Sequence, residues 1–534
     1  MNSYLNKIIA AFLILGVLSC DSDFAELNTD PNKPDAELFD PNLILPTVVY
    51  NYFDFNTGYS GAILFQSMWA QIFASTSTGG ANYYSNGDKY VPSGNTNSYQ
   101  ESLWNGLYEA ASKAKQMEDL ANQKNLPNLA ATGKIIQIMC ISVISDVYGD
   151  VPYAEALQAA SGITQPAYQP QEEAYPQMLA DLESAVAALN ASADDLTNDT
   201  VYDGDISQWR KLGYSIMLKM AMRLVENDQA TAGAYVQKAL AGGVFASAAD
   251  DAVAYADFTN GYANTNSNAL ATAADIYEVR WSKTLIDYLQ ANDDPRLTVI
   301  AEIPPAGLSG NNNGAIQGNS DPDDQQGLPN GYDLAGGATD VSTEPNYPGP
   351  TGTGDNTAAL GNYSRPTGIY RNRNTPWFII TYAETELLQA EAAIRGLGGA
   401  TNPTGHYRNA VIAAMMTMNK MGGTQITGAD MTAYADTHPL NITTNAMALE
   451  MINNQLWASV GMWGNFIESW SNWRRSGYPD LEAVNYTGNF SQGTIPLRQL
   501  YPTSESTNNT ANYQQAVSNM GGSDNWTTPV WWDE

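Results

Sequence analysis

Apolar side chains recur every three or four residues in several windows of this chain, and this spacing limits the fold more than any other feature. It places the apolar side chains on one face of an α-helix, which must pack against another element. One such stripe consists of Trp209, Leu212, Ile216, Met220 and Leu224, and another, which predicts a helix that includes residues 279–281, consists of Ile276, Val279, Leu285, Ile286 and Leu289. Residues 134–147 are apolar nearly all round, which indicates a deeply buried helix. Because period-two alternation is scarce, the sequence predicts an all-α fold.

The helical windows occur in pairs that are joined by short links. A single pair cannot cover the apolar faces of its two helices, so we expect the pairs to stack as helix hairpins in a solenoid. A further helical segment is predicted from Ala446 to Trp473, although no exact repeat length is visible. The predicted pairs are 99–122 with 127–148, 171–191 with 206–227, and 377–396 with 405–421.

Two long segments interrupt the helical pattern. Residues 303–364 and 75–97 are rich in Gly, Pro, Asn and Asp or Ser and contain few aliphatic residues. Loops of this length in a globular chain are usually functional or disordered. We therefore expect both segments to lie on one face of the helical scaffold and to build a binding surface there. Simple surface decoration remains the alternative.

The N-terminus has the features of a secretory signal peptide over residues 1–19. An apolar run from Ile8 to Leu18 is too short to span a bilayer as a helix. The sequence from Val17 to Cys20 resembles a bacterial lipobox, which predicts that Cys20 becomes the first residue of a mature chain, 20–534, and carries lipid. Acyl chains on Cys20 then anchor the protein to a membrane. An uncleaved anchor and an ordinary signal peptide are the alternatives.

The acidic charge of the chain argues against nucleic acid as its partner. There are 24 Lys and Arg residues against 56 Asp and Glu residues, which gives a formal net charge of −32. Such a chain is repelled by nucleic acid and by anionic membrane surfaces. The aromatic content of 10% is nevertheless typical of a globular protein and not of an acidic disordered one.

Catalytic and metal-binding motifs are weak. Two His and two Cys residues leave little for zinc sites or for histidine-based catalysis, and Cys140, within an apolar run, is expected to be a buried inert thiol. Glycoside hydrolysis requires two carboxylates at a defined separation, and no motif places such a pair. The aspartates Asp321, Asp323 and Asp324 are candidate Ca²⁺ ligands, but their spacing differs from an EF-hand loop, so a solvated loop is the alternative. A glycoside hydrolase therefore remains an alternative at this point, since 56 acidic residues offer many possible pairs, and we expect no required cofactor.

Short motifs distributed along the chain resemble the SusD/RagB family of nutrient-binding outer-membrane lipoproteins of Bacteroidetes. Each motif alone is weak, but their order behind a lipobox is specific, and the resemblance runs nearly end to end. The motifs are LNTDPN at 27–32, YGDVPY at 148–153, WRKL at 209–212, DPRL at 294–297, YAE at 382–384 with AEA at 390–392, WSNWRRSGYP at 470–479 and PVWWD at 529–533.

The resemblance implies a fold, a location and a partner. The family fold is a bundle of tetratricopeptide-like helix pairs with a large irregular insertion, here residues 303–364. Its members lie at the cell surface over a SusC-like TonB-dependent transporter, capture glycans or in some branches peptides, and are not enzymes. Most motif residues are then structural: Glu384 and Glu391 are expected to pair with arginines or to cap helices, and Trp531 and Trp532 to dock the C-terminus or to contact the transporter.

Glycan-binding residues are expected among aromatic side chains that lie outside the apolar stripes. A neutral sugar offers no charge, so its apolar face lies on an aromatic ring while amide, carboxylate and guanidinium groups bind its hydroxyls. By contrast, Trp104, Trp209, Trp457 and Trp470 lie at helical spacing and are expected in the core. The predicted binding residues are Trp281, Trp377, Trp69, Tyr84, Tyr83, Asn82 and Arg280. For each tryptophan a place in the core remains the alternative.

The ligand class follows from charge. An aromatic strip without a basic pocket favours a neutral polysaccharide, for which a marine β-glucan such as laminarin is our first expectation. Chitin oligosaccharides also fit, whereas acidic alginate is disfavoured by the net charge of −32. A peptide-capturing lipoprotein and a helical scaffold without any ligand are the remaining alternatives.

Overall fold

The computed structural model describes residues 38–78, 84–271 and 278–533. Within these residues helices make up most of the regular structure, and strands occur as three short pairs. The predicted all-α fold is therefore confirmed. The predictions that fall outside the described residues concern the signal peptide at 1–19, Cys20, Asn82 and Tyr83.

The long helices carry the scaffold, and shorter helical turns connect them. The long helices are α1 (Leu45–Thr57), α2 (Thr96–Gln123), α3 (Pro127–Tyr148), α4 (Gln171–Ala188), α5 (Ile206–Arg223), α6 (Gln229–Gly242), α7 (Lys283–Ala291), α8 (Tyr382–Arg395), α9 (Pro403–Met421), α10 (Gly428–Thr437), α11 (Asn445–Met462), α12 (Phe466–Ser476) and α13 (Thr510–Asn519). The short α-helices are Gln66–Trp69, Tyr84–Asp88, Thr265–Leu270, Leu297–Ile300, Leu308–Asn311 and Thr503–Asn508. A π-helix covers Tyr59–Ile63, and 3₁₀ turns cover Pro41–Ile44, Ala159–Ser161, Ala248–Asp250, Pro322–Asp324, Val341–Thr343, Gly354–Asn356, Gly368–Arg371 and Trp531–Asp533.

The six strands form three antiparallel pairs that fasten loops to the helical scaffold. Strand β1 (Phe73–Ser75) pairs with β3 (Val279–Trp281), β2 (Val253–Ala254) with β6 (Trp377–Phe378), and β4 (Ala301–Glu302) with β5 (Arg365–Pro366). Their registers place Phe73 opposite Trp281 and Ala254 opposite Trp377.

The helices pack as the predicted hairpins. α2 packs against α3, α4 against α5, and α8 against α9. Contacts between α3 and α4, and between α8 and α11, join one hairpin to the next. The apolar faces that one pair leaves open are thereby covered, as the sequence stripes require.

Local signals in the sequence fix where individual helices begin and end. The Asp205 carboxylate accepts the N–H of Ser207 at 2.8 Å and so caps the start of α5. Thr381 accepts the N–H of Glu384 at 3.2 Å at the start of α8, and Gly396, with a φ of 69°, ends that helix in the left-handed conformation. These caps satisfy backbone groups that would otherwise be left without partners at the helix ends.

The predicted core residues lie in the core. Trp104, Trp209, Trp457 and Trp470 are all buried. Helix α3 is long and apolar enough to cross a membrane, but 89% of its apolar window is buried within the fold, as expected for a central core helix. It carries Cys140, whose pKa is raised by burial, so the thiol is inert as predicted.

Two helical predictions are wrong in detail. The segment from Ala446 to Trp473 is two helices, α11 and α12, because Gly464 adopts a φ of 91° and Asn465 caps the second helix. Residues 279–281, expected on a helix, form β3, and α7 begins only after Ser282, whose hydroxyl accepts the N–H of Leu285 at 3.1 Å. In both places a local turn signal overrides apolar spacing.

Candidate functional site

The predicted surface strip of tryptophans is wrong, because all three indoles are buried. Trp281 lies in β3 with no exposed surface, 4.5 Å from the ring of Phe73, and its indole N–H donates to the carbonyl of Ile300 at 2.9 Å. The helical spacing used to place this indole outside a stripe does not apply to a strand. Trp281 is a core residue.

The other two tryptophans, Trp69 and Trp377, are also buried. Trp69 lies between Trp470 and Trp526, at ring distances of 5.3 and 5.8 Å. Trp377 belongs to β6 and not to the start of a helix, and it stacks on Phe53 at 5.8 Å with 3% of its surface exposed. Neither ring offers a face to a ligand.

Tyr84 and Arg280 are also buried, contrary to expectation. Tyr84 is 1% exposed at the start of a short helix. Arg280 has no exposed surface, and its guanidinium donates to the carbonyl of Val279 at 2.8 Å and to the side chain of Asn311. This arginine fastens a loop of the irregular insertion to β3, which is a structural role.

A different set of aromatic side chains faces solvent, on a hairpin that we call the aromatic hairpin (residues 255–262). Tyr255 is 69% exposed, Phe258 50% and Tyr262 39%. Most large apolar side chains of the described residues are buried, so three exposed rings within eight residues form a distinct surface feature.

The aromatic hairpin is held in one conformation by its own turn. Asp257 and Tyr262 exchange two backbone hydrogen bonds of 2.8 Å each. The Asp257 carboxylate also accepts the N–H groups of Thr259 and Asn260, both at 3.1 Å, and hydrogen bonds from Asn260 lower the pKa of this exposed carboxyl. Gly261 supplies the left-handed φ of 90° that closes the turn.

A partly buried ring, Tyr50, and a buried one, Trp377, support the exposed rings from below. The edge of Tyr262 meets Tyr50 at 5.0 Å, and Tyr50 in turn meets Trp377 at 5.7 Å. The β2–β6 pair, with Ala254 opposite Trp377, anchors the base of the hairpin to the core. The predicted Trp377 therefore contributes as a buried support and not as a contact surface.

Polar groups flank the exposed rings. The guanidinium carbon of Arg373 lies 4.8 Å from the centre of the Phe258 ring. The side-chain oxygen of Asn374 accepts the backbone N–H of Phe258 at 2.9 Å, which ties the hairpin to the 371–375 loop. Asn260 at the tip and Asn372 in that loop are exposed. The arrangement combines flat apolar faces with amide and guanidinium groups, which suits a polyhydroxylated ligand.

Sequence reasoning missed the aromatic hairpin, although a signal for it was present. The pair Asn260-Gly261 is a strong indication of a tight hairpin turn, and it is flanked by Phe258 and Tyr262. Aromatic residues beside such a turn project from the scaffold, because a short turn on the surface has no partner that covers them.

The two irregular segments meet, but their contact is a buried one. Asp88, which forms a buried salt bridge with Lys89, accepts the side-chain amide of Asn330 at 2.8 Å and the N–H of Gly331 at 2.9 Å. The described part of 75–97 is thus largely a packed element and not an exposed loop, which corrects that expectation. A second small apolar core lies beneath the insertion and contains Ala74, Leu328, Val341, Leu360 and Tyr363.

The aspartates considered for Ca²⁺ bind backbone and amide groups of their own loop. Asp321 accepts the N–H of Asp323 at 3.1 Å, and Asp324 accepts the side-chain amide of Asn319 at 2.6 Å. Among the described residues no group of three or more His, Cys, Asp or Glu side chains is arranged to hold a metal ion.

The sequence was compared with known protein families. The model of a SusD-like family, described as starch-binding and associating with the outer membrane, matches residues 32–502. This chain belongs to the SusD-like family. The resemblance to this family is therefore confirmed, and the family is one of outer-membrane-associated binding proteins.

Solved structures of similar proteins agree with the fold. A chitin-binding protein is 28% identical, with a TM-score of 0.76 over 93% of this chain and 100% of that chain. A SusD-like protein from Bacteroidetes is 22% identical, with a TM-score of 0.75 over the same shares. A chitin-binding SusD homologue from Flavobacterium johnsoniae is 20% identical, with a TM-score of 0.70 over 92% of this chain and 99% of that chain. A comparison with curated proteins gives no match.

Proposed function

We propose that this SusD-like protein captures neutral oligosaccharides on the aromatic hairpin at the cell surface and delivers them to a SusC-like TonB-dependent transporter. The observation that carries the proposal is the exposure of Tyr255, Phe258 and Tyr262 on a turn held by hydrogen bonds. The chain performs no chemical step on the ligand. Its role is to hold the saccharide until the transporter takes it.

The energetics of the aromatic hairpin favour sugar binding. Rings that are already ordered lose little conformational entropy when a sugar lies on them, and the apolar faces of both partners leave water. Asn260 and Asn372 at the rim offer amide groups to sugar hydroxyls. Charge contributes little to this contact, so we expect affinity to change by no more than about twofold when salt is raised.

The choice of ligand rests on chemistry and on one relative. The 28% identical relative is a chitin-binding protein, which makes chitin oligosaccharides the first ligand to test. Laminarin, our expectation from composition, is the second neutral candidate. Alginate is disfavoured by the net charge of −32, and capture of peptides is the alternative from another ligand class.

Calorimetry of the purified mature chain tests the proposal. The titrants are chitin hexasaccharide, laminarin hexasaccharide, an alginate oligosaccharide and an uncharged oligopeptide such as hexa-alanine. The proposal predicts heat of binding with at least one neutral sugar and none with the peptide. Binding of the peptide alone, or of alginate alone, contradicts it.

The proposed location rests on Cys20, for which the resemblance to a lipobox predicts lipid attachment and a hold on the outer membrane. Metabolic labelling with a palmitate analogue tests this directly. The wild-type chain is expected to incorporate the label and to remain with outer membranes. The variant Cys20→Ser is expected to do neither, and label in that variant contradicts the anchor.

A further inference from the structure

A groove of about 500 Å³ lies between the turn after α3, the start of α4 and the C-terminal segment. It shares no residue with the aromatic hairpin. Its lining mixes carboxylate and amide side chains with apolar ones that include an indole, so the groove combines the two kinds of group that bind sugars. The lining includes Asp150, Gln171, Glu172, Asn519 and Trp531.

The indole of Trp531 is partly exposed in this groove, whereas its neighbour Trp532 is buried. The difference arises because Trp532 donates its indole N–H to Asp146 at 3.0 Å within the core. Docking of Trp532 fixes the backbone on one side of Trp531. The groove therefore has an aromatic wall that needs little ordering before a ligand binds.

The groove also contains a polar atom that lacks a partner. Gln171 has no exposed surface, and its amide nitrogen donates to the backbone carbonyl of Ser145 at 2.9 Å. Its side-chain oxygen accepts no hydrogen bond from the described residues. A buried acceptor without a donor is destabilising, so a hydrogen-bond donor supplied by a ligand or a water molecule is favoured beside it.

The charge of the groove is negative. Asp150 and Glu172 line it, and its lining contains no Lys, Arg or His among the described residues. Asp150 is half-buried, accepts the N–H of Gln171 at 2.9 Å and a hydrogen bond from the Asn519 side chain, and lies near the charge of Arg498, whereas Glu172 is exposed. A ligand with several donors and a positive charge satisfies these acceptors better than a neutral sugar does.

We propose that this groove is a second saccharide site, which takes an amino sugar with a free, protonated amine. The ring of the sugar lies against Trp531, and its ammonium group pairs with Glu172 and Asp150. Hydroxyl groups of the same sugar donate toward the groove floor at Gln171. The two sites differ in ligand chemistry. The groove is lined by carboxylates that bind a cation, whereas the aromatic hairpin offers mainly the faces of exposed rings.

The lining distinguishes an amino sugar from a cationic peptide side chain. A lysine side chain satisfies the carboxylates but presents no flat ring face to Trp531 and no additional hydroxyl donors. An amino sugar pairs with the carboxylates, lays a flat ring face on Trp531 and supplies additional hydroxyl donors. We therefore argue for the sugar, and the experiment includes the peptide as a competing outcome.

The test uses calorimetry at about pH 6, below the usual range of an amine pKa. The protein is the full mature chain with Tyr255→Ala and Phe258→Ala, so that the aromatic hairpin does not contribute. The titrants are glucosamine hexasaccharide, its fully N-acetylated form and trilysine. We expect the glucosamine oligomer to bind at least about tenfold more tightly than the acetylated one.

Three further substitutions in that background locate the binding. Trp531→Ala is expected to weaken the glucosamine oligomer by about tenfold, and Trp531→Phe, which keeps a ring, by less. Glu172→Gln removes only a charge from an exposed residue and is expected to weaken binding several-fold. Glu450→Gln, which removes the charge of an exposed glutamate on α11 outside the lining, is the matched control and is expected to have no effect.

Three results overturn the proposal. Equal affinity for the glucosamine oligomer and its acetylated form would show that the ammonium group does not contribute to binding. Unchanged affinity in both Trp531→Ala and Glu172→Gln moves the site elsewhere. Binding of trilysine without binding of the sugar assigns the groove to a cationic peptide. Failure of this site leaves the aromatic hairpin untouched, since the two share no residue.

Discussion

The guanidinium of Arg474 lies between two indoles, with its carbon 3.5 Å from the ring centre of Trp470 and 4.5 Å from that of Trp532. Trp470 belongs to α12, whereas Trp532 stands two residues from the end of the chain. This contact joins the C-terminus to the helical core. The expectation that the terminal tryptophans dock the C-terminus is therefore confirmed for Trp532.

Removing this indole is expected to destabilise the whole protein. Trp532→Ala deletes a fully buried side chain and leaves Asp146 without the 3.0 Å hydrogen bond from the indole, which costs about 3–5 kcal/mol. Urea unfolding measures the loss. Trp531→Ala, one residue earlier and partly exposed, is the matched control and is expected to cost far less. Equal losses in the two variants contradict the docking role.

A buried charge cluster between α3, α5, α8 and α12 predicts a pH dependence. Lys219 lies 2.8 Å from Glu468 and 3.0 Å from Glu384, while Arg223 lies 2.7 Å from Glu468 and 3.2 Å from Asp146. Three carboxylates thus share two cations. Burial, opposed by Lys219 and reinforced by Glu468, raises the pKa of Glu384 to about 7.

The sign of the pH effect follows from that shift. The folded pKa of Glu384 lies above its ordinary value of 4.5, so the folded state holds an extra proton between these values. The stabilisation is complete below about pH 4.5 and is lost as pH rises through about 7. From pH 5 to pH 8 we therefore expect the free energy of unfolding to fall as Glu384 loses its proton in the folded state.

Glu384→Gln tests the assignment, because a glutamine cannot release a proton. Urea unfolding at several pH values between 5 and 8 is expected to show a flatter profile in the variant than in the wild type. Glu109→Gln, an exposed change on α2, is the control and should keep the wild-type slope. A Glu384→Gln profile parallel to the wild type assigns the pH dependence to another group.

Substitution of Trp281 tests whether this residue serves the core or binds the ligand. Trp281→Ala removes a buried ring and its hydrogen bond to the carbonyl of Ile300, and we expect a loss of about 3–5 kcal/mol in the free energy of unfolding. Below the unfolding transition, sugar affinity measured by calorimetry is expected to stay at the wild-type value. Lost affinity with full stability would restore the surface role that the sequence suggested.

The turn of the aromatic hairpin can be strained without touching its rings. Gly261→Ala forces a Cβ into a φ of 90° at a cost of about 1–2 kcal/mol, and we expect sugar affinity to fall several-fold as the turn reopens. Gly428→Ala also adds a methyl group into open space, but without a positive φ, and serves as the control. Calorimetry that shows equal affinity for the two variants contradicts a rigid hairpin.

The helical scaffold is predictable because each of its helices carries its own stripe. Trp209 and Trp470 repeat at helical spacing, so their burial follows from local sequence alone. Trp281 and Trp377 lie in strands of three and two residues that are buried on both faces. A strand that short contains no periodicity, so the burial of its side chains depends on distant chain segments such as Phe73 and Phe53.

Buried arginines are the second feature that spacing does not reveal. Arg475 donates two hydrogen bonds of 2.6 and 2.7 Å to Glu391, which is 84 residues away in the sequence. This agrees with the expectation that Glu391 pairs with an arginine. Glu384 pairs instead with a lysine, Lys219, because α5 places that side chain beside α8. Such partners are set by helix packing, and a single sequence does not identify them.

The central claim is that exposed rings of the aromatic hairpin hold a neutral sugar. The most direct measurement is a calorimetric titration of chitin hexasaccharide, or of the neutral sugar that binds best, into wild type and into Tyr255→Ala/Phe258→Ala. Phe490→Ala, which removes an exposed ring elsewhere, is the matched control. We expect the double variant to lose about tenfold in affinity for each ring and Phe490→Ala to lose none. Wild-type affinity in a folded double variant would contradict the account.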